Sequence, residues 1–240
     1  MLTKSKAIVL RTLKLGENKM IVDMLTLEEG RVSCVVGIPK TQKGKLKRPY
    51  FQPLTLLEVE LDLRAGRDLQ HLRDARIAVP LPALATDARK LSIALFLAEV
   101  LYYSTREERK NEPLFGYIEQ SLQWLDGCQD VFANFHLVFL MRLTRFIGFF
   151  PYTDNYHEGD WFDLRGGCFV ANAPIHADFL APADAARIGT LLRMDYASMH
   201  LFRMSHDDRN RIVEVIVSYY RLHVPAFPEL RSLAVMKQLW

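Results

Sequence analysis

Leu54-Thr55-Leu56-Leu57-Glu58-Val59-Glu60-Leu61-Asp62-Leu63 decides how the first third of this chain is read. Leu54, Leu56, Glu58, Glu60 and Asp62 alternate with Thr55, Leu57, Val59, Leu61 and Leu63. A period of two, with one face turning polar along its length, marks a strand whose other face is buried. The same spacing of short apolar stretches and turn residues surrounds it. Lys6–Lys14, Met20–Leu27, Arg31–Ile38 and Gln70–Val79 read as four further strands. Glu28-Glu29-Gly30 and Arg64-Ala65-Gly66-Arg67 read as turns between them. Five short strands in about 75 residues, with no good helix among them, predict a small closed barrel.

The pattern changes at Pro80-Leu81-Pro82. Beyond it Leu91, Leu95, Ala98, Leu101 and Tyr102 share one helical face between Asp87 and Ser104. Asn111-Glu112-Pro113 opens a second helix running through Leu125, and Asp130 is placed to cap a third from Val131 to Ile147. From Gly148 to Pro182 the regularity lapses. Pro151, Gly166-Gly167, Pro174 and Pro182 punctuate this insertion, which is given at most a hairpin, Trp161–Leu164 against Cys168–Asn172. Helical spacing returns over Ala183–Leu192, over Asp207–His223 with Ile212, Val215, Ile216, Tyr219 and Tyr220 on one face, and over Leu230–Leu239. The expected fold is α+β. A five-stranded OB-fold barrel over 1–80 precedes an all-helical domain over 81–240, with an irregular insertion at about 148–182.

Charge divides along the same line. Residues 1–79 carry 15 Lys and Arg against 9 Asp and Glu, whereas residues 80–240 carry 16 against 19. A basic first part points to a polyanionic partner there. Three scattered cysteines, Cys34, Cys128 and Cys168, supply no disulfide framework and fit a reducing compartment. No stretch approaches the ~18 uninterrupted apolar residues of a membrane span, and no signal peptide is visible, so the expected location is the cytosol.

Chemistry is hard to find in the chain. Gly37 to Gly44-Lys45 superficially matches a phosphate loop, but the gap is too long and Leu46 stands where a hydroxyl is needed. His157, Cys168 and His176 lie in the insertion without the paired spacing of a zinc site, so neither a metal nor a cofactor is expected. No frame joins a nucleophile to a base, and His206-Asp207-Asp208 is explained by a helix N-terminus. No catalytic residue is assigned.

The informative run is Lys40-Thr41-Gln42-Lys43-Gly44-Lys45-Leu46-Lys47-Arg48, followed at once by Tyr50 and Phe51. Cations beside flat rings suit single-stranded nucleic acid, through phosphate neutralisation and base stacking, although both rings could instead plug the barrel. Lys4, Lys6 and Arg11 lie in the same small domain and join the candidate set of Lys40, Lys43, Lys45, Lys47, Arg48, Tyr50 and Phe51. DNA and RNA cannot be separated on these contacts. An RNA-binding OB-fold adaptor and an enzyme with a dispersed site remain open at this point.

In order along the chain, Lys6-Ala7-Ile8-Val9-Leu10-Arg11, Gly16-Glu17, Leu25-Thr26, Glu29-Gly30-Arg31 and Phe51-Gln52-Pro53-Leu54 resemble the start of RecO proteins. Leu69–Ile77, Tyr219-Tyr220-Arg221-Leu222-His223 and Leu230-Arg231-Ser232-Leu233 extend the likeness to nearly the whole length. The resemblance implies a bacterial, nucleoid-associated recombination mediator of DNA repair. Such a protein binds single- and double-stranded DNA, anneals strands, cooperates with RecR, docks on the C-terminal tail of single-strand-binding protein, and so lets RecA load. Arg142 and Arg145, on the third helix, are the candidate cations for that tail; internal ion pairing is the competing reading. Many members also carry a zinc knuckle after a segment that Ile147-Gly148-Phe149-Phe150-Pro151 matches. Its four cysteines are absent here apart from Cys168, which implies an insertion that folds without metal.

Overall fold

The computed structural model describes residues 1–38 and 46–239. Five strands close into a barrel: β1 (Leu2–Lys14), β2 (Lys19–Thr26), β3 (Gly30–Gly37), β4 (Leu56–Asp62) and β5 (Leu69–Val79). Their order around it is β1-β2-β3-β5-β4, and β1 returns to pair with β4, which is the OB arrangement. All pairs are antiparallel except β3 with β5. Alternation sets what points inward. Val9, Val22, Met24, Cys34, Val36, Leu57, Val59, Leu61 and Leu72 fill the interior, while Glu58, Glu60 and Asp62 stand on the outer face of β4. Strand β4 begins two residues later than its alternation suggests. Leu54 sits at φ 62 in the turn closed by the Thr55 N–H on Gln52 O, a conformation that cannot continue into a strand. Burial pushes the Cys34 thiol up to about 12, which keeps it protonated and makes it a packing residue.

The barrel belongs to a compact unit formed by Met1–Gly127 with Leu230–Leu239. Its helices are α1 (Pro82–Thr86), α2 (Ala88–Ser104) and α3 (Glu112–Gly127). Asp87 caps α2, its side chain accepting from the Arg89 and Lys90 N–H groups. The buried side of α2 is Ile93, Ala94, Phe96, Leu97, Ala98, Val100 and Leu101, whereas Leu91 and Leu95 are 40% and 42% exposed. The stripe expected through Leu91 and Leu95 is therefore displaced. A helix apolar nearly all round has several equally good stripes, and packing against β1, α1 and the C-terminal helix chooses among them.

Cys128–Glu229 forms the second compact unit. It contains α4 (Phe135–Phe146), a small sheet of β6 (Trp161–Asp163), β7 (Cys168–Val170) and β8 (Phe179–Leu180), then α5 (Pro182–Ala185), α6 (Ile188–Arg193) and α7 (His206–His223). The region is helical outside the insertion, which carries three strands in the order β7-β6-β8 rather than a hairpin alone. Strand β8 is two residues long, too short for any periodicity to reveal. Helix α4 starts four residues later than expected. Val131 takes φ 58 and Asn134, not Asp130, stands at the cap, its Nδ2 donating to Met199 O and Phe202 O. The helix expected over Ala183–Leu192 is broken into α5 and α6. Helix α7 opens with a reciprocal capping box between Ser205 and Asp208. Near its other end Tyr219 donates to Phe149 O and His223 bonds Leu164 O, which fixes the insertion, while Tyr220 donates to Leu140 O of α4. The last helix, α8 (Arg231–Leu239), returns to the first unit, where the Glu99 carboxylate accepts from Arg231 N, Ser232 N and Ser232 Oγ.

Two measurements test these assignments. Gly30 and Gly66 both have positive φ, but a Cβ on Gly30 would meet the Arg109 carbonyl carbon at 2.4 Å, while nothing lies within 4 Å of one on Gly66. In urea unfolding, Gly66→Ala should cost about 1 kcal/mol and Gly30→Ala at least about twice that; equal losses would remove the packing argument. His136 is fully buried, and burial, assisted by Arg209, holds its imidazole down to about 3. A folded pKa below the unfolded one contributes stability that is complete above about pH 6.5 and is lost as pH falls towards 3. Wild-type protein should therefore lose stability relative to His136→Phe on acidification below pH 6.5, by up to about 1.4 kcal/mol per pH unit. A constant difference across pH 4–7 would contradict a neutral buried ring.

Candidate nucleic-acid interface

The outward positions of the barrel divide into faces of different chemistry. On β1 and β4, Lys4 lies opposite Glu60 and Lys6 opposite Glu58. Lys6 Nζ bonds Glu119 Oε1 at 2.8 Å, and Glu28, Asp74 and the Glu58–Arg76 pair line the same groove. Lys4 and Lys6 thus stand among carboxylates, on a surface that a polyanion would not choose.

Across β1, β2, β3 and β5 the outer face is different. Leu13, Ile21, Val35 and His71 fall in one row, each opposite the next on neighbouring strands. Arg11, Asp23, Ser33 and Leu69 form the adjacent row. Leu13 and Leu69 are 40% and 42% exposed, and His71 is open as well, so the barrel keeps an apolar band facing solvent. Beside that band, Arg64, Arg67, His71 and Arg73 line a depression of about 460 Å³ with Val35, Leu69 and Asp62. Asp62 is the shared counter-ion there, 3.4 Å from Arg64 and 3.3 Å from Arg73. Their guanidinium groups, Arg73's hydrogen bond first, hold its carboxyl below the usual range. Among the described residues Arg67 has no carboxylate in ion-pair range. In OB-folds this face, with the loop joining β4 to β5, is where oligonucleotides dock.

At the other edge of the band Arg11 and Arg31 lie over the Tyr102 ring, 4.7 and 4.5 Å from its centroid, and Arg106 approaches at 5.9 Å. Arg31 is largely desolvated, which lowers its pKa, while Asp23 at 3.8 Å opposes that shift.

Of the residues singled out from the sequence, Lys40, Lys43 and Lys45 lie outside the described residues. Lys47 and Arg48 are exposed, and Arg48 Nη2 donates to Glu17 O in the loop between β1 and β2, 2.9 Å away. Phe51 is 2% exposed and part of the barrel core, with Tyr50 packed against it half-buried. Phe51 is thus a core residue and offers no open stacking face, because the short 3-10 turn Arg48–Phe51 buries it, whereas Tyr50 stays half-buried at the edge of that core. Arg11 belongs to the open face. Arg64, Arg67 and Arg73 complete it, with Tyr102 and Arg106 contributed by α2 and the residues after it, and Arg31 is buried beneath them. Sequence spacing marks Arg64 and Arg67 only as a turn. The strand order places that turn beside β3 and so at the edge of the open face.

In the second unit Arg142 Nη2 reaches Met194 O at 3.4 Å and lies 6.0 Å from the Tyr196 ring centroid. Arg145 stacks 4.1 Å over Phe150 and lines a cavity of about 450 Å³ with Tyr156, Phe169 and Arg193. The two arginines therefore do not share one pocket. A separate, more apolar groove of about 520 Å³ runs between α6 and α7, with Ile188, Leu191, Ile212 and Val215 as walls and Arg187 and Arg203 at its rim. Zinc needs four donors in a tetrahedron. In the insertion His176 pairs with Asp163 at 3.4 Å and His157 with Asp160 at 3.5 Å, and Cys168 is a free thiol. Among the described residues no three His, Cys, Asp or Glu side chains converge on one point, so these residues do not fit zinc. No helix among the described residues is long and apolar enough to cross a membrane.

Comparison with known proteins agrees with this layout. Residues 1–80 match the family model "Recombination protein O N terminal", and residues 85–234 match "Recombination protein O C terminal". Those two segments divide the chain at the end of the barrel, whereas packing divides it at Gly127. The chain is 48% identical over 240 residues to the DNA repair protein RecO of Phocaeicola vulgatus and 46% over 241 residues to that of Bacteroides fragilis. It is 32% identical over 248 residues to that of Porphyromonas gingivalis. All three alignments span 100% of both chains. Both halves match in order over the full length, and the chain belongs to the RecO family.

Proposed function

We propose that this protein is a recombination mediator in DNA repair. It binds single- and double-stranded DNA, anneals strands and, together with RecR, helps RecA load on DNA covered by single-strand-binding protein, without catalysing chemistry of its own. The observation that carries this reading is the open outer face of the OB barrel, an apolar band with arginines on both sides. Relatives aligned along their whole length are named DNA repair proteins, which favours DNA over RNA as the ligand. The aromatic cavity under Arg145 and Arg193 is the place proposed for the acidic, hydrophobic tail of single-strand-binding protein, since such a tail needs apolar walls and a cation for its terminal carboxylate. The action is that of a bacterial cytoplasmic protein working at the nucleoid.

Anisotropy of labelled oligo-dT across a salt series tests the DNA surface, with a labelled copy of the tail peptide measured in parallel. Each phosphate contact contributes about 0.7 to the slope of log K against log salt for a single strand. Alanine at Lys47, Arg48, Arg64 and Arg67 together should weaken DNA binding and flatten the slope by up to about 3, leaving the peptide's affinity unchanged. Arg145→Ala should weaken the peptide at least 5-fold and spare DNA. An unchanged slope in the first variant would move the DNA surface elsewhere, and absence of binding to either ligand at low salt would refute the mediator reading.

A further inference from the structure

Three guanidinium groups converge on one phenol ring at the seam between the barrel and α2. Arg11 comes from β1, Arg31 from β3 and Arg106 from the turn after α2, and all approach Tyr102, with Arg106 also 5.3 Å from the Tyr103 ring. A ring attracts each cation, but it cannot cancel the repulsion among three of them. Among the described residues one carboxylate lies within ion-pair range of them. Asp23 lies 3.8 Å from Arg31 and already accepts a hydrogen bond from the Ser33 hydroxyl. Among the described residues neither Arg11 nor Arg106 has a carboxylate within ion-pair range. Arg31 is committed inward, its Nη1 donating to Tyr102 O at 3.1 Å and its side chain 9% exposed. Arg106 is exposed and Arg11 half-exposed, so the excess charge faces solvent.

Resting on the nucleic-acid reading above, we propose that Arg11 and Arg106, backed by the buried Arg31, bind a phosphodiester of a single strand. They anchor that strand at the β1 edge of the open face. A phosphodiester has one negative charge and two free oxygens, which suits guanidinium forks offering paired N–H donors. The anchor also sets a path. Arg11 begins the row Arg11, Asp23, Ser33 and Leu69, which crosses four strands spaced about 4.8 Å apart, so about 14 Å separates it from Leu69 and the arginines beyond. The strand runs across the β-strands rather than along them. Its phosphates are held at the two edges, by Arg11 and Arg106 on one side and by Arg64, Arg67 and Arg73 on the other. Between them the sugars and bases lie on Leu13, Ile21 and Val35. Tyr102 does not stack on a base; it holds the guanidinium planes in place.

The test uses full-length wild type, Arg106→Ala, Arg106→Lys, Arg11→Ala and, as a control from the acidic face, Arg76→Ala, with oligo-dT anisotropy at several salt concentrations. Thermal melting of each variant accompanies it. Arg106→Ala and Arg11→Ala should each weaken binding about 3- to 10-fold at low salt and reduce the slope of log K against log salt by about 0.7. Arg106→Lys should keep the slope while losing part of the affinity, and Arg76→Ala should change neither. Folded Arg106→Ala with wild-type affinity and slope would overturn the anchor while leaving the DNA reading intact. A slope change in Arg76→Ala as large as in Arg106→Ala would also overturn it, by reducing the effect to net charge. A wild-type protein that binds no oligo-dT at low salt would overturn both.

Discussion

Closure of the barrel depends on one strand. β1 pairs with β2 from Ala7 to Lys14 and with β4 from Leu2 to Ile8, so its two halves serve different neighbours. A register shift between Val9 and Arg11 lets one long strand bend from one partner to the other. The bend removes both free sheet edges and commits every inward position to one small core. It also turns Arg11 outward beside Asp23, where an unbent strand would have placed Leu10. A single irregularity thus closes the fold and sets the first cation of the open face.

Once the interior is filled, function is left to the outside, and the outside is partitioned. The β1–β4–β5 side mixes Lys4, Lys6 and Arg76 with Glu28, Glu58, Glu60 and Asp74 and is close to neutral. Another part is occupied by α2. What remains, over β2 and β3, has few carboxylates and several arginines. Among the described residues of the barrel, arginine charge is therefore concentrated on that side. Uniformly spread, the same charge would attract polyanions without orienting them.

Much of this was legible in the sequence where the physics is local. The parity of Leu57, Val59 and Leu61 against Glu58 and Glu60 depends only on strand geometry, and it holds. Asp87 before an apolar run identifies a helix start for the same reason. The failures lie where tertiary packing decides. Phe51 looks like a stacking ring beside cations and is a core residue, because composition does not say which way a short turn points. Leu91 and Leu95 fit a helical stripe as well as Ile93 and Leu97 do, and only the neighbours of α2 distinguish them. Arg64 and Arg67 gain a role from lying beside β3, a relation between segments about thirty residues apart that no local period encodes. The likeness to RecO proteins implies the architecture, but not which arginines stand on the open face of the barrel.

The attachment of α8 has a consequence for how the chain is made. Glu99 and Ser232 are 133 residues apart, yet their contact helps complete the unit that contains the barrel. At ribosomal speeds of ~5–20 residues per second, roughly 7–27 s separate the synthesis of these two partners. During that interval the barrel can close, since its strands are already present, while the side of α2 that will receive α8 stays uncovered. The nascent protein thus has a period in which apolar surface on α2 is open to chaperones or to other nascent chains. Emergence of α8 from the ribosome ends that period.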